Sequence, residues 1–291
     1  MLQSELDPSP STVLKLGGAA GVDHATALDD VAERVARGDR IAIVHGGSDE
    51  ANRLGDAVGH PARTLRSPSG HESRHTDPRT LELFVMATAL VNRRIVGALQ
   101  ARGVDAVGLS GLDGATLLGA RKDAVRTVEG GRVRIVRDDW SGRIREVRAD
   151  LASDLLDSGR VPVLAPVAMT ERGEPLNVDG DRAAATLAGA LGAGALVLLT
   201  AVPGLLRAFP DPSTRIDSAT EDEIVALEEV AQGRMKRKVV AAREALRAGV
   251  ARVVIAASDA ERPLTAALDG EGTTILGRTL AADEAAAEVT P

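Results

Sequence analysis

Lys15 stands two residues before a glycine pair, Gly17-Gly18, at the end of the apolar run Val13-Leu14-Lys15-Leu16. A second run, Ile41-Ala42-Ile43-Val44-His45, ends in Gly46-Gly47-Ser48, its glycine pair 29 residues after the first. Glycines that close a β-branched run bring bare backbone N–H groups to a strand end, and a helix starting there adds partial positive charge. The chemistry to expect is anion binding, and Lys15 contributes a full charge to it. Farther on, Lys236-Arg237-Lys238 follows Gly233-Arg234-Met235 at the start of a helical pattern. Cations are disfavoured at a helix N-terminus unless an anion offsets them, and a phosphate would do so. Asp181, ahead of the Ala-rich stretch from Arg182 to Leu191, reads as a helix N-cap that is also able to orient a lysine.

These residues need a scaffold that gathers strand ends along one edge. After each Gly-Gly pair a helical pattern follows, Ala25 to Arg37 and Asp49 to Val58, so the first sixty residues alternate strand and helix. That is a parallel sheet with right-handed crossovers. Leu81 to Arg102 carries apolar residues at helical spacing, and Gly103 is placed to end it. Its length suits a buried or dimer-lining helix. Val104 to Leu109, Val161 to Pro166, Ala195 to Thr200 and Ala251 to Ala256 read as further strands, with a helix to about Ala248 before the last. Gly108-Leu109-Ser110-Gly111-Leu112-Asp113-Gly114 is a third glycine-rich strand end. Thr127 to Arg148 alternates, with Gly130-Gly131 and Ser141-Gly142 as turns, which predicts antiparallel hairpins on the edge of the parallel body. From Arg121 to Arg148 nine Lys or Arg stand against five Asp or Glu, a local basic face.

Composition excludes several classes. The chain has 291 residues, 44% apolar, enough for one large α/β domain or two modest lobes. It has no Cys, which removes disulfides and thiolate chemistry. A net charge of −7 and only three aromatic residues, Phe84, Phe209 and Trp140, argue against nucleic acid as a partner. No window reaches the ~20 apolar residues of a membrane span, and the N-terminus lacks the pattern of a secretory signal, so a cytoplasmic protein with no membrane partner is expected. There is no P-loop motif and no dinucleotide fingerprint. His71-Glu72-Ser73-Arg74-His75 matches the zinc-protease pattern, but that chemistry needs a helix, and Pro68, Gly70 and Asp77-Pro78 bracket the five residues. A surface loop is expected, Arg74 being available for a substrate, and no metal-ligating residues are assigned.

In order along the chain, Lys15-Leu16-Gly17-Gly18, His45-Gly46-Gly47, Gly108 to Gly114, Asn177 to Asp181, Leu198 to Leu205 and Gly233 to Val239 resemble the amino acid kinase superfamily over nearly the whole length. Within it the chain resembles the N-acetylglutamate kinase branch, and more closely the kinases that act on aminoadipate or glutamate tethered to a small acidic carrier protein of LysW type. Ser48-Asp49-Glu50-Ala51-Asn52 stands where acetylglutamate kinases typically have Gly-Pro, and Gly233-Arg234-Met235-Lys236-Arg237-Lys238 replaces a Gly-Gly-Met-Ile-Pro-Lys type of motif. Ala201 departs from the Asp or Asn usual in the superfamily.

The resemblance implies a three-layer αβα sandwich around a mainly parallel sheet, with β-hairpins at the edge of an N-terminal lobe. Residues 1–170 would bind the amino acid and carrier and form a homodimer, and 171–291 would bind ATP, with Mg2+ as cofactor. It implies γ-phosphoryl transfer to a side-chain carboxylate, in lysine or arginine biosynthesis. Lys15 and Lys238 would stabilise the transferring phosphoryl and the leaving ADP, with Asp181 holding both. Gly46, Gly47, Ser48, Arg74 and Asn177 would bind substrate, and Gly17, Gly18, Thr200, Val202, Gly204, Leu205 and Met235 the nucleotide. N-acetylglutamate kinase is the nearest alternative. A non-catalytic nucleotide-responsive subunit is another, against which the retained lysines and Asp181 argue.

Overall fold

The computed structural model describes residues 10–17, 24–68, 70, 72–231, 233–278 and 280. The glycine-punctuated runs alternate strand and helix: β1 (Thr12–Leu16), α1 (Ala25–Ala36), β2 (Ile41–His45) and α2 (Ser48–Ala57). A short antiparallel hairpin, β3 (Thr64–Arg66) with β4 (Glu72–Arg74), leads to the long helix α3 (Pro78–Gln100). Pro78 pre-sets the first helical position, and Asp77 caps the helix by accepting from the Thr80 amide at 2.7 Å. Next come β5 (Ala106–Ser110), β6 (Leu117–Arg121), β7 (Val125–Glu129), β8 (Arg132–Val136), β9 (Gly142–Val147), α4 (Asp150–Asp157) and β10 (Val161–Ala165). The second half holds β11 (Val167–Met169), β12 (Pro175–Asn177), α5 (Gly180–Ala190), β13 (Ala195–Thr200), β14 (Ser218–Thr220), α6 (Ile224–Val230), α7 (Gly233–Arg247), β15 (Arg252–Ala257), α8 (Pro263–Leu268) and β16 (Thr273–Leu276).

Eight strands form one sheet in the order β14-β16-β15-β13-β1-β2-β10-β5, and only the β15–β16 pair is antiparallel. β1 is central, pairing with β13 from the C-terminal half on one side and with β2 on the other. Strand residues alternate between two cores. Val13, Val44, Leu198 and Ile255 pack under α4, α5 and α7, whereas Leu14, Ile43, Val197 and Val254 pack under α1, α3 and α8. Burial on both faces explains why these runs are continuously apolar. The fold is therefore α/β, a mainly parallel sheet between two helical layers, as expected.

The alternating stretch 127–148 divides. β7 and β8 form a two-stranded sheet of their own, closed by Gly130 and Gly131 at φ 57° and 72°, whereas β9 joins β6 in a second sheet of order β12-β11-β6-β9. The division has a physical cause between them: Asp139 is buried, and the Trp140 amide donates to the Thr76 carbonyl at 2.6 Å. The five residues around Arg74 are not helical. Glu72 and Arg74 lie on β4, and His75 Nε2 faces Asp138 Oδ1 at 3.2 Å. His71 and Gly18 lie outside the described residues. No helix among the described residues is long and apolar enough to cross a membrane.

Candidate active site

Parallel pairing puts the C-terminal ends of β1, β2 and β13 on one edge, with Lys15 opposite both Val44 and Leu198. Ligands of open parallel sheets bind at that edge. Lys15 shares the Val13 face of β1, the face covered by α5, so it points to the start of that helix. There its Nζ lies 2.8 Å from Asp181 Oδ1. Lys238, in the second turn of α7, reaches the same carboxylate from the other side, with Nζ 3.1 Å from Oδ1 and 3.2 Å from Oδ2. The three residues are 6%, 8% and 7% exposed in chain order Lys15, Asp181, Lys238.

Asp181 is not the helix cap. Asp179 caps α5, its side chain accepting from the amides of Asp181 and Arg182, and this leaves the Asp181 carboxylate to the lysines. Burial pushes the Asp181 carboxyl up, but the charges of Lys15 and Lys238 together outweigh it and hold it well below the usual carboxylate range. For Lys238 burial wins, and its pKa is lowered although Asp181 acts in the opposite direction. Two cations sharing one carboxylate leave a surplus positive charge where little water enters, which is a site prepared for an anion.

The remaining residues surround this cluster. Gly17 follows β1; a side chain there would make only an ordinary 3.5 Å contact with the Leu199 carbonyl, so packing does not require glycine. Gly46 follows β2 and donates its amide to the Leu16 carbonyl at 3.1 Å. Gly47 heads α2, and a Cβ on it would lie 2.6 Å from Thr88 Cγ2. Arg74 reaches back from β4, its Nη2 donating to the Ser48 carbonyl at 2.9 Å and to Asn52 Oδ1 at 2.5 Å, and burial lowers its pKa. Asn177 ends β12, its Nδ2 donating to Thr76 Oγ1 at 2.9 Å and its amide to the Trp140 carbonyl at 3.0 Å. Thr76 is in turn held by Asp139, whose Oδ2 accepts the Thr76 amide at 3.0 Å. One buried carboxylate thus ties the Arg74 strand to Asn177. Thr76 and Asp139 escaped the sequence reading because neither lies in a motif; their roles arise from contacts 63 residues apart.

In the run 236–238 the three cations part company. Lys236 is exposed, Arg237 donates to the Glu72 carbonyl and lies 3.7 Å from Asp179 Oδ2, and Lys238 alone is buried on Asp181. Thr200 ends β13 and accepts from the Ser258 amide at 2.8 Å, Val202 is half-buried, and Met235 packs against the core under α5 and α7. Gly204 adopts φ 150° against Thr273 Oγ1, which also accepts the Leu205 amide at 2.8 Å. The Leu205 side chain is in the core.

A family model described as the amino acid kinase family matches residues 10–257. The chain belongs to the amino acid kinase family. Among members of the family, LysW-aminoadipate kinase of Deinococcus radiodurans is 48% identical over 90% of this chain and 90% of that protein. The LysW-aminoadipate kinase of Thermus thermophilus is 46% identical over 90% and 99%. Acetylglutamate kinase of Methanopyrus kandleri is 36% identical over 79% and 88%. Among solved structures, N-acetylglutamate synthase of Neisseria gonorrhoeae, complexed with coenzyme A and N-acetyl-glutamate, superposes with TM-score 0.74 at 26% identity, over 92% of this chain and 59% of that one. Carbamate kinase of Giardia lamblia bound to AMP-PNP shares the fold, with TM-score 0.63 at 19% identity over 92% and 98%.

Proposed function

We propose that the protein transfers the γ-phosphoryl group of ATP to the side-chain carboxylate of an amino acid carried on a small acidic LysW-type protein, with α-aminoadipate as the amino acid, giving an acyl phosphate and ADP. The buried Lys15–Asp181–Lys238 cluster carries this reading, and the names of the two relatives near half identity supply the acceptor. One carboxylate oxygen of the acceptor attacks the γ-phosphorus as the bond to the β-phosphate oxygen breaks, and the electron pair leaves with ADP. A side-chain carboxylate, with a pKa of about 4.3, is already an anion at neutral pH, so no general base is required. Positioning and charge stabilisation therefore do the catalytic work.

Lys15 lies on the acceptor side, beside Gly17 and Gly46, and neutralises the transferring phosphoryl. Lys238 comes from the nucleotide side and neutralises the oxygen that leaves, and Asp181 keeps both ammonium groups aimed. Backbone amides at Gly17 and Gly47 would donate to phosphate oxygens, while the Gly46 amide, held by the Leu16 carbonyl, shapes the turn that presents them. The absence of any packing need for glycine at 17 supports close approach of a ligand there. No cluster of three or more His, Asp or Glu able to hold a metal exists among the described residues, so Mg2+ would enter as part of the MgATP substrate, on phosphate oxygens. Arg74 would meet a substrate carboxylate through Nη1, its Nη2 being held by Ser48 and Asn52, and Asn177 would bind near the amino acid's main chain. The half 1–170 would carry the acceptor, and 171–291, with Thr200, Val202, Gly204 and Met235, the nucleotide, both in the cytoplasm.

The carrier would dock on the basic hairpin β7–β8. Its register places Arg126 beside Ile135 and Val128 beside Val133 on one face, while Thr127 on the other face bonds the Arg66 backbone. Val133 and Ile135 are 59% and 57% exposed, an apolar stripe bordered by arginine that suits an acidic partner. Trapping of acyl phosphate as the hydroxamate, with LysW-linked aminoadipate, LysW-linked glutamate and N-acetylglutamate in parallel, tests the proposal. Turnover only with N-acetylglutamate would replace it with the acetylglutamate kinase reading, and turnover with none would reject it.

A further inference from the structure

His45 is a fully buried histidine one residue before the site glycines, and the transfer reaction as described has no task for it. Its side chain lies on the Ile41 and Ile43 face of β2, against α3, so it sits on the opposite side of the sheet from Lys15. Nδ1 is 2.8 Å from the carbonyl oxygen of Gly46. A carbonyl only accepts, so Nδ1 carries the proton. Nε2 is 3.1 Å from Asn92 Nδ2, which also donates to the Val163 carbonyl at 2.8 Å. That second bond forbids turning the Asn92 amide, because its oxygen would then face a carbonyl. Nε2 must therefore accept, and the ring is the neutral Nδ1–H tautomer with both nitrogens satisfied.

We propose that His45, locked by Asn92, is a positioning residue that sets the plane of the Gly46–Gly47 peptide and so aims the Gly47 N–H at the transferring phosphoryl. In a trans peptide the C=O and N–H point in opposite directions. With the Gly46 oxygen drawn in toward the histidine, the Gly47 N–H is turned to the Lys15 side of the sheet. Burial, opposed by the Gly46 carbonyl and reinforced by the Lys15 charge, lowers the histidine pKa to about 4, so the ring stays neutral beside a site that holds two ammonium groups.

The neighbouring glycines fit this arrangement. A Cβ at Gly108 would lie 2.0 Å from Asn92 Oδ1, and one at Gly47 would lie 2.6 Å from Thr88 Cγ2. Thr88 and Asn92 are one turn apart on α3, so a single helix face supports the Gly47 turn directly and through His45.

The inference rests on the kinase reading, and two measurements separate it from that reading. Nitrogen-15 histidine NMR of the wild-type protein should show His45, assigned by its loss in His45→Asn, with Nδ1 protonated and Nε2 bare throughout about pH 5.5 to 8. An Nε2–H tautomer, or a midpoint in that range, overturns the proposal whatever the substrate proves to be. In kinetics, His45→Asn keeps an N–H near the Nδ1 position and should hold kcat within about threefold. His45→Gln leaves the Gly46 oxygen unpaired and should lose on the order of 10²-fold in kcat, with KM for ATP changed less than about threefold. Equal losses in both variants, or parent-like turnover in His45→Gln, overturn it. If neither variant folds, the wild-type tautomer decides.

Discussion

Lys15 and Lys238 compete for one carboxylate, and that sharing decides what each substitution does. Lys15→Ala and Lys238→Ala each remove a cation matched to charge that develops in transfer, so kcat should fall about 10²- to 10³-fold with KM for ATP moving far less. Steady-state kinetics with a coupled ADP assay checks this. Asp181→Asn leaves two buried ammonium groups facing each other, and losing one partner of a buried ion pair costs about 3–5 kcal/mol. Removing the true cap, Asp179→Ala, should cost only about 1 kcal/mol, and thermal melts of the two variants compare them. Burial lowers the Lys238 pKa, so the free enzyme loses its charged form as pH rises through a value below the ordinary 10.5. Bound phosphates restore the charged form, so the alkaline limb of kcat/KM should lie at lower pH than that of kcat. The Asp181 pKa is depressed on folding, so its stabilisation is complete above the ordinary aspartate range and fades only as pH falls below it.

Elements decide which of these residues meet. β13 spans Ala195–Thr200, the bounds its apolar run sets, because a strand buried on both faces leaves no ambiguity of period. The stretch 127–148 was legible as antiparallel but not as two separate sheets, since Asp139 and Trp140 are anchored by Thr76, a partner no local pattern reveals. The free apolar face of β7–β8 carries the docking proposal. Reversing Arg126, which borders that face, to Glu should raise KM for the carrier-linked acceptor severalfold while leaving KM for ATP unchanged, and added salt should weaken the parent protein in the same way. An acceptor KM insensitive to both would remove the carrier from this hairpin. At the second strand end, Gly47→Ala should lower turnover sharply, because its methyl meets Thr88 and cannot be accommodated without moving the loop.

At the scale of the whole molecule, one eight-stranded sheet joins both halves, and phosphoryl donor and acceptor would meet over its central strand β1. Met86 and Leu90, one turn apart on the outer face of α3, remain exposed. We propose that they meet a second copy of the chain, in the homodimer the sequence suggests. Met86→Glu combined with Leu90→Glu should halve the mass seen by light scattering with unchanged circular dichroism, and an unchanged mass would reject that interface. The amino-acid sequence by itself determined the strand-helix alternation, the paired glycine turns and the lysines at 15 and 238, because period, turn chemistry and charge are local properties. Only the tertiary structure decided that Asp179 caps α5 so that Asp181 can serve both lysines, that Arg237 turns away to Glu72 and Asp179, and that His45 is pinned by Asn92. Those outcomes depend on which side chains lose water together, and residues far apart in the chain settle that only when the sheet brings them to one edge.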